Sequence, residues 1–362
     1  MTDKLPYEYY KVEKFESIKE MLEMAIKAAG DQTAFKFRKD GKIAEISYRD
    51  FYADTMALGT ALTDLGFGDR HIAMLGENSY SWIVVYLTVL KSSGVYVPID
   101  KELPFCDIQN IVNDSDSEVV FYTKRYESDL MENAAKMPQV KYFVGIDREE
   151  DLGNFLSFEA LKAKGAKLYA DGDERYASMT SDPNALKMLV YTSGTTGMQK
   201  GVMLSEHNLV SSVYYGLQVS TVYRRSLSVL PYNHTYEAVS GLLVSLHKHA
   251  TICINESLKM VLKNLQEYKP DYVYLVPAFV EVFYKKILTN ARQNGKEQTL
   301  FKMIRISNKL RRAGIDLRKT LFASVHKAFG GNPACGVAVL ARKDVACGTA
   351  EVAVFVRVIE QP

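Results

Sequence analysis

The sequence has little net charge and lacks long apolar runs, and each shortage excludes a class of protein. Its 45 basic and 43 acidic residues leave a formal charge of +2, which gives no net field to attract nucleic acid. The longest apolar run, Trp82 to Leu90, spans nine residues, against the roughly 20 that cross a bilayer. The N-terminal residues are charged and aromatic, unlike a signal or transit peptide. We therefore expect a cytoplasmic protein with small-molecule partners.

Cysteine is also scarce, and its spacing argues against a metal or disulfide framework. The four cysteines lie far apart and form no CxxC or Cys/His pattern. Free thiols in a reducing compartment are the interpretation that this spacing favours.

Signals for helices and strands alternate along most of the chain, which predicts an α/β fold with a largely parallel sheet. After a first helix, an antiparallel hairpin is expected to turn at Asp40 and Gly41, and Ser47 with Asp50 forms a capping box for a second helix. A first series of short strands is expected at residues 71–75, 95–99, 118–123 and 141–146. A second series, for a second α/β subdomain, is expected at residues 186–192, 226–230, 250–254 and 272–277.

The most informative segment is YTSGTTGMQKG, Tyr191 to Gly201, which follows an apolar strand and precedes a helix capped by Ser205. Its glycines allow sharp turns that expose backbone N–H groups, and such groups bind anionic oxygens. Its hydroxyls can donate to phosphate, and the lysine adds a positive charge. This composition predicts a cradle for a triphosphate or pyrophosphate group. The candidate ligands are Thr192, Ser193, Gly194, Thr195, Thr196, Gly197 and Lys200.

The spacing of this segment differs from the Walker pattern GxxxxGK[ST]. Gln199 occupies the position of the second glycine, and Gly201 comes after the lysine. An ordinary P-loop NTPase is therefore not expected. The alternative is a flexible, hydroxyl-rich surface loop without a ligand. It is much less favoured, because eleven positions with these specific residues seldom arise by chance.

The segment 191–201 resembles the phosphate-binding motif of the adenylate-forming (AMP-binding) superfamily, and the resemblance extends along the chain as far as residue 332. Upstream, ISYRDF (46–51) and residues 76–100 are similar to the N-terminal motifs of that superfamily. Downstream, LPYNHTYE (230–237) is similar to its LPLxHxxE motif. Residues 276–287 and 306–332 resemble bacterial long-chain fatty acyl-CoA synthetases.

The resemblance implies a fold and a two-step reaction. The fold is an incomplete N-terminal domain, residues 1–333, of two stacked α/β subdomains at about 1–180 and about 181–333, without the C-terminal lid domain. In the reaction, a fatty acid carboxylate attacks the α-phosphate of ATP to give acyl-AMP and pyrophosphate, and CoA then displaces AMP. Such chemistry depends on positioning and on neutralising charge. ATP, Mg²⁺ and CoA are the implied cofactors, and peripheral membrane contact would suit the amphiphilic substrate.

The resemblance also assigns roles to individual residues. Thr192 and Thr195 are expected to contact phosphate or Mg²⁺, with Thr192 as the metal contact, and Lys200 is expected to assist catalysis. His234, in the LPYNHTYE segment, matches a family position near the acyl carboxylate and the adenylate, where a histidine can orient either group. Without that match, a histidine at a strand end, satisfied by backbone groups, is the favoured interpretation. With the match, His234 and Lys200 are the predicted catalytic residues.

The segment 334–362 differs in composition from the rest of the chain. Of its 29 residues, 13 are Ala or Val and none is Tyr, although the chain contains 23 Tyr. The adenine-binding loop that the family would place after Asn332 has no match in it. We therefore hypothesise a shift of reading frame near Asn332. A divergent native pair of strands is the alternative, because this segment is rich in β-branched residues.

These observations lead to three functional hypotheses. The first is activation of a long-chain fatty acid by an acid–thiol ligase. The second is a nonenzymatic nucleotide-binding chain or an inactive truncated remnant of such a ligase, which the unmatched motifs favour. An amino-acid adenylation domain is a weaker rival, because residues 276–287 and 306–332 are typical of the long-chain branch.

Overall fold

The computed structural model of the protein describes residues 10–193, 199–219, 222–328, 330 and 336–339. Its chain forms two compact units, each built from more than one segment. The first unit consists of Met1–Val222 and Pro231–His249, and the second consists of Tyr223–Leu230 and Ala250–Pro362.

The first unit contains the predicted antiparallel hairpin, formed by β1 (Thr33–Lys39) and β2 (Lys42–Ser47). Its turn residues, Asp40 and Gly41, both have positive φ, as a tight hairpin turn requires. Ser47 then starts the next helix. Its hydroxyl accepts a hydrogen bond from the backbone N–H of Asp50 at 3.0 Å and donates one to the Asp50 carboxylate at 2.7 Å. The predicted N-cap at Ser47 is confirmed, but the Asp50 carboxylate is reached by the Ser47 hydroxyl and not by its backbone N–H, as a full capping box would require.

A seven-stranded sheet forms the centre of the first unit. Its strands are β3 (His71–Leu75), β4 (Val95–Ile99), β5 (Val119–Tyr122), β6 (Tyr142–Gly145), β7 (Phe155–Ser157), β8 (Leu186–Ser193) and β9 (Gln199–Ser205). Their spatial order is β7-β6-β5-β3-β4-β8-β9, and all neighbours are parallel except β8 and β9. The four strands predicted between residues 71 and 146 are confirmed.

Helices surround this sheet, and several begin at a serine whose hydroxyl accepts a hydrogen bond from a backbone N–H in the first turn. The helices of the first unit are α1 (Ile18–Ala29), α2 (Tyr48–Asp64), α3 (Tyr80–Lys91), α4 (Phe105–Asp114), α5 (Glu127–Asn133), α6 (Phe158–Ala170), α7 (Glu206–Val219) and α8 (Val244–His247). A π-helical segment, Tyr236–Leu243, precedes α8, and short 3-10 turns lie at Lys124–Tyr126 and Ala134–Lys136.

Helix α3 accounts for the longest apolar run of the sequence. Its residues from Trp82 to Lys91 are all buried, so it is a central helix that is apolar on every side. The Trp82 ring lies 5.3 Å from that of Tyr96 and 5.1 Å from that of Tyr232, distances at which edge-to-face aromatic pairs are favourable. None of the described helices is long and apolar enough to cross a membrane.

The segment 186–192 was predicted to open the second subdomain, and this assignment is wrong. Its strand, β8, pairs with β4 in the sheet of the first unit, where Tyr96 lies opposite Met188. The apolar pattern of residues 186–192 identifies a buried strand but carries no information about its pairing partner. The first unit therefore extends well beyond residue 180.

The strands of the second unit are paired in parallel. These strands are β10 (Arg225–Ser228), β11 (Thr251–Ile254), β12 (Tyr272–Leu275) and β13 (Gly336–Val339), in the order β13-β12-β10-β11. Its helices are α9 (Val261–Tyr268), α10 (Pro277–Gln293), α11 (Glu297–Arg312), α12 (Arg318–Leu321) and α13 (Ala323–Ala328), with a 3-10 turn at Leu258–Met260. The prediction of two α/β layers with largely parallel sheets is confirmed. The described part of the terminal segment supplies β13, and the frame-shift hypothesis stays a prediction.

Lys91, the last residue of α3, is buried with a hydroxyl and an aromatic ring as its close neighbours. Its Nζ donates to the Thr55 hydroxyl at 3.0 Å and lies 3.9 Å from the centroid of the Tyr52 ring, a cation–π distance. Burial lowers the pKa of Lys91 from 10.5 to about 7, with a smaller lowering from Lys19 and an opposing effect of Glu23. The folded protein thus releases this proton far below the pH at which the unfolded chain does.

We predict that this lysine makes stability depend on pH above neutrality. Between about pH 7 and 10.5 the unfolded chain keeps the Lys91 proton and the folded chain loses it, so the free energy of unfolding rises with pH, by up to about 1.4 kcal/mol per pH unit. Below about pH 7 Lys91 is protonated in both the folded and the unfolded chain. The cost of burying its charge then lowers the free energy of unfolding in full. Denaturant unfolding between pH 7 and 10 should show a flatter dependence for Lys91→Met than for wild type. The exposed Lys39→Met is the control, and equal slopes in all three proteins would contradict this account.

Candidate active site

The root of the predicted phosphate loop is the hairpin formed by β8 and β9. Thr192 pairs with Lys200 and Ser193 with Gln199 across the two antiparallel strands. Directly opposed residues of an antiparallel pair point to the same face with Cβ atoms about 5 Å apart. Both Thr192 and Lys200 are solvent-exposed. The structure therefore brings a hydroxyl and a cation together where an anionic group can reach them.

The strand β9 carries the chain from the loop to α7, the helix that was predicted to follow the loop. The predicted start of that helix is supported, because the Ser205 hydroxyl accepts a hydrogen bond from the backbone N–H of Asn208 at 3.2 Å. Four predicted ligands lie outside the described residues, and their roles stay predictions: Gly194, Thr195, Thr196 and Gly197.

Tyr191 anchors the strand that leads into the loop. Its hydroxyl donates to the Asp114 carboxylate at the end of α4 at 2.6 Å. Its ring passes over Gly201, its cross-strand partner, where an added Cβ would lie 3.4 Å from the ring and 2.9 Å from Leu189. Burial, and then the bond to Asp114, raise the pKa of Tyr191. Gly201 therefore provides room for the Tyr191 ring. The sequence analysis missed the anchoring bond of Tyr191 because its partner, Asp114, lies 77 positions away in the chain.

Parallel strands bring further residues to the same edge of the sheet. Leu75 lies opposite Ile99, and continuing the register of the Tyr96–Met188 pair places Thr192 level with Asp100. The residues that come after β3 therefore leave the sheet at the same edge as the loop, about 10 Å away across β4. In open α/β sheets, ligands bind outside the carboxyl ends of the strands. The loop lies at the edge where this rule expects a ligand.

The predicted catalytic histidine is linked to this edge through Asn78. The Asn78 side chain, just beyond β3, accepts a hydrogen bond from the backbone N–H of Tyr232 at 3.1 Å. Two residues later, His234 is exposed, and its carbonyl accepts bonds from the N–H groups of Glu237 and Ala238 at 3.1 and 3.0 Å. The backbone of His234 thus starts the π-helical segment while its imidazole faces solvent. The sequence analysis did not identify Asn78, although it lies in the matched run 76–100.

Comparison with known proteins decides the family. The family model described as "AMP-binding enzyme" matches residues 22–354. The chain belongs to the AMP-binding enzyme family. The match begins inside α1 and continues into the segment 334–362.

Curated relatives of this AMP-binding chain include long-chain enzymes. It is 26% identical over 292 residues to the long-chain-fatty-acid–CoA ligase ACSBG1 of Rattus norvegicus, covering 77% of this chain and 40% of the relative. It is 26% identical over 273 residues to the long-chain-fatty-acid–CoA ligase FadD15 of Mycobacterium bovis, covering 71% and 43%. The chain thus spans about 40% of the length of these relatives.

Solved structures share the fold. A long-chain-fatty-acid CoA ligase from Rhodopseudomonas palustris, described as putative in its name, has a TM-score of 0.62 at 18% identity, covering 74% of this chain and 65% of that one. The A domain of a carboxylic acid reductase from Segniliparus rugosus has a TM-score of 0.69 at 16% identity, covering 88% and 55%. At these identities the likeness concerns the fold of the AMP-binding domain alone.

The resemblance implies Mg²⁺ bound to ATP, and the side chains around the loop bear on how such an ion would be held. Within the described part of the chain, no three His, Cys, Asp or Glu side chains cluster as a metal site. Mg²⁺ commonly keeps several waters and is held largely by substrate phosphates. A single exposed hydroxyl such as that of Thr192, beside Lys200, fits an ion that arrives bound to ATP.

We predict that the Tyr191–Asp114 hydrogen bond stabilises the hairpin. Tyr191→Phe and Asp114→Ala should each lower the free energy of unfolding by about 1 kcal/mol, less than is usual for a bond to a charged group, because Asp114 is exposed. A double-mutant cycle by urea unfolding should give a coupling energy of similar size. Tyr215→Phe, at a tyrosine that is 62% exposed, is the control and should change little. Additive effects of the two substitutions would contradict the bond.

Proposed function

We propose that this chain carries the phosphate-binding half of a site that activates a fatty acid with ATP, giving acyl-AMP and pyrophosphate before transfer to CoA. The observation that carries the proposal is the pairing of Thr192 with Lys200 at the root of a Gly- and Thr-rich loop. Family membership supports acyl activation as the reaction. The curated relatives named as long-chain-fatty-acid–CoA ligases support a long-chain substrate.

Each group on the hairpin has a defined chemical task in this proposal. As the α-phosphate is attacked, negative charge grows on the leaving pyrophosphate. Lys200 offsets that charge as a point cation, while the hydroxyls of Thr192 and of the loop donate to its oxygens. Mg²⁺ bound to ATP supplies further charge neutralisation, with Thr192 as the proposed protein contact. Because Lys200 and Thr192 stand on paired strands, their spacing is set before ATP binds.

His234 is the second proposed catalytic residue. Its imidazole is exposed, while its backbone is held by the start of the π-helical segment and, two residues earlier, by the Asn78 bond to Tyr232. A histidine held in this way at the edge of a site can donate to the acyl carboxylate or to the α-phosphate. In this proposal His234 orients the nucleophile. The interpretation in which backbone groups satisfy the imidazole is less favoured, since the exposed ring faces solvent and the bonds to Glu237 and Ala238 are made by the main chain.

The rival proposal is a chain that binds nucleotide without turnover. It rests on the same paired residues, Thr192 and Lys200, which could hold the phosphates of a nucleotide whether or not a reaction follows. The two proposals share the loop and differ only in whether chemistry occurs after binding. Peripheral contact with a membrane belongs to either proposal, since it concerns the delivery of the substrate.

The test is exchange of labelled pyrophosphate into ATP, which reports the first half-reaction alone. If the chain is an enzyme, we expect exchange that depends on an added long-chain fatty acid and on Mg²⁺. Lys200→Ala should reduce the exchange rate by roughly 10²-fold or more, as expected when a group that stabilises transition-state charge is removed. Lys39→Ala should leave the rate unchanged, because Lys39 is likewise an exposed lysine paired across a hairpin. Binding of ATP without any exchange would instead support the nonenzymatic rival.

A further inference from the structure

The small net charge of the chain conceals a strongly basic region in the second unit. Residues 277–328, which include α10 to α13, contain twelve Lys or Arg and three Asp or Glu, a net charge of +9. The whole chain carries +2. The positive charge is therefore concentrated in one helical region, and the remainder of the chain is acidic.

Helix α11 arranges much of this charge on one face. Lys302, Arg305, Lys309 and Arg312 are all exposed and recur at intervals of three or four residues, the spacing of neighbours along one side of a helix. The opposite side of the helix holds its buried residues, Ile304 and Ser307. Ile304 packs in a small apolar cluster with Phe322, and both are 2% exposed. The orientation of α11 is thus set by its packing, and the packing leaves the four cations in solvent.

Within the described part of the second unit, these four cations have no carboxylate partners. Ion pairs in the region are Arg292 with Glu297 at 2.6 Å and Arg318 with Asp316 at 2.7 Å. Among the described residues, no Asp or Glu lies within ion-pair distance of Lys302, Arg305, Lys309 or Arg312. Their charge is available to an external anionic surface.

Apolar side chains are exposed within the same basic region. Ile306 is 44% exposed and lies on the same side of α11 as Lys302 and Lys309. Ile315 and Leu317, in the turn after α11, are 48% and 40% exposed. Basic and exposed apolar side chains are therefore interspersed along residues 302–317.

We propose that the exposed face of α11, with Ile315 and Leu317, is a docking surface for an anionic lipid bilayer. Cations near such a surface are attracted by its negative potential. Exposed apolar side chains gain free energy when they enter the boundary between headgroups and acyl chains. A nucleic acid backbone would engage the cations but would offer the isoleucines and the leucine no comparable gain. The combination of both kinds of side chain favours the lipid surface.

The test is cosedimentation of the full chain with phospholipid vesicles, in the absence of ATP and fatty acid. We expect binding to vesicles of phosphatidylcholine mixed with phosphatidylglycerol, little binding to phosphatidylcholine alone, and weaker binding as salt is raised. The quadruple variant K302Q/R305Q/K309Q/R312Q should bind the anionic vesicles at least about tenfold more weakly. Because substrates are omitted, the outcome is independent of whether the phosphate loop is catalytically active.

A matched control distinguishes the effect of the α11 surface on vesicle binding from the effect of total charge. The variant K39Q/K42Q/K124Q/K141Q removes four exposed cations of the first unit and changes the net charge by the same amount, yet it should bind like wild type. A second variant, Ile306→Ser with Leu317→Ser, keeps every charge and should weaken binding to anionic vesicles while preserving the salt dependence. Thermal unfolding followed by circular dichroism checks that each variant is folded.

Three outcomes would overturn the proposal. One is equal binding by wild type and the folded K302Q/R305Q/K309Q/R312Q variant. Another is an equal loss of binding in the first-unit control, which would attribute the effect to net charge. The third is binding to a short DNA duplex without binding to anionic vesicles, which would assign the face to nucleic acid.

Discussion

The parallel pairing of β8 with β4 is the contact on which the candidate site depends. It places the end of β8 at the carboxyl edge of the seven-stranded sheet, level with the residues that come after β3 and β4. From that edge the hairpin with β9 leaves the sheet, and its register sets Lys200 opposite Thr192. A change of register by one residue would turn these side chains to the other face of the hairpin. The chemistry of the loop thus rests on main-chain pairing in the core.

Two side-chain hydrogen bonds fix the backbone segments next to the β8–β4 pair. The Tyr191 hydroxyl joins the end of β8 to Asp114 on α4. The Asn78 amide joins the end of β3 to the backbone that leads to His234. Neither residue was among the predicted ligands. Both hold the backbone next to residues that were predicted as ligands or catalytic groups.

The sequence predicted local structure well and long-range pairing poorly, for a physical reason. The strands at 71–75 and 95–99 and the helix N-cap at Ser47 depend on patterns within a few residues, and the structure confirms them. The sheet to which 186–192 belongs depends on a contact with Tyr96, some 90 positions away, and local patterns do not encode such contacts. The basic face of α11 was missed because the charge was summed over the whole chain, where acidic residues elsewhere cancel it.

The family assignment and the proposed chemistry of the site rest on different observations. Membership rests on a match over residues 22–354, whereas the proposed handling of phosphate rests on two paired residues and a loop. The central claim is that this hairpin binds the phosphates of ATP, and it is open to direct measurement. Calorimetric titration of the chain with MgATP, beside a Thr192→Ala/Lys200→Ala double variant, tests it. The account predicts saturable binding that the folded variant loses; binding of equal affinity by the variant would contradict it.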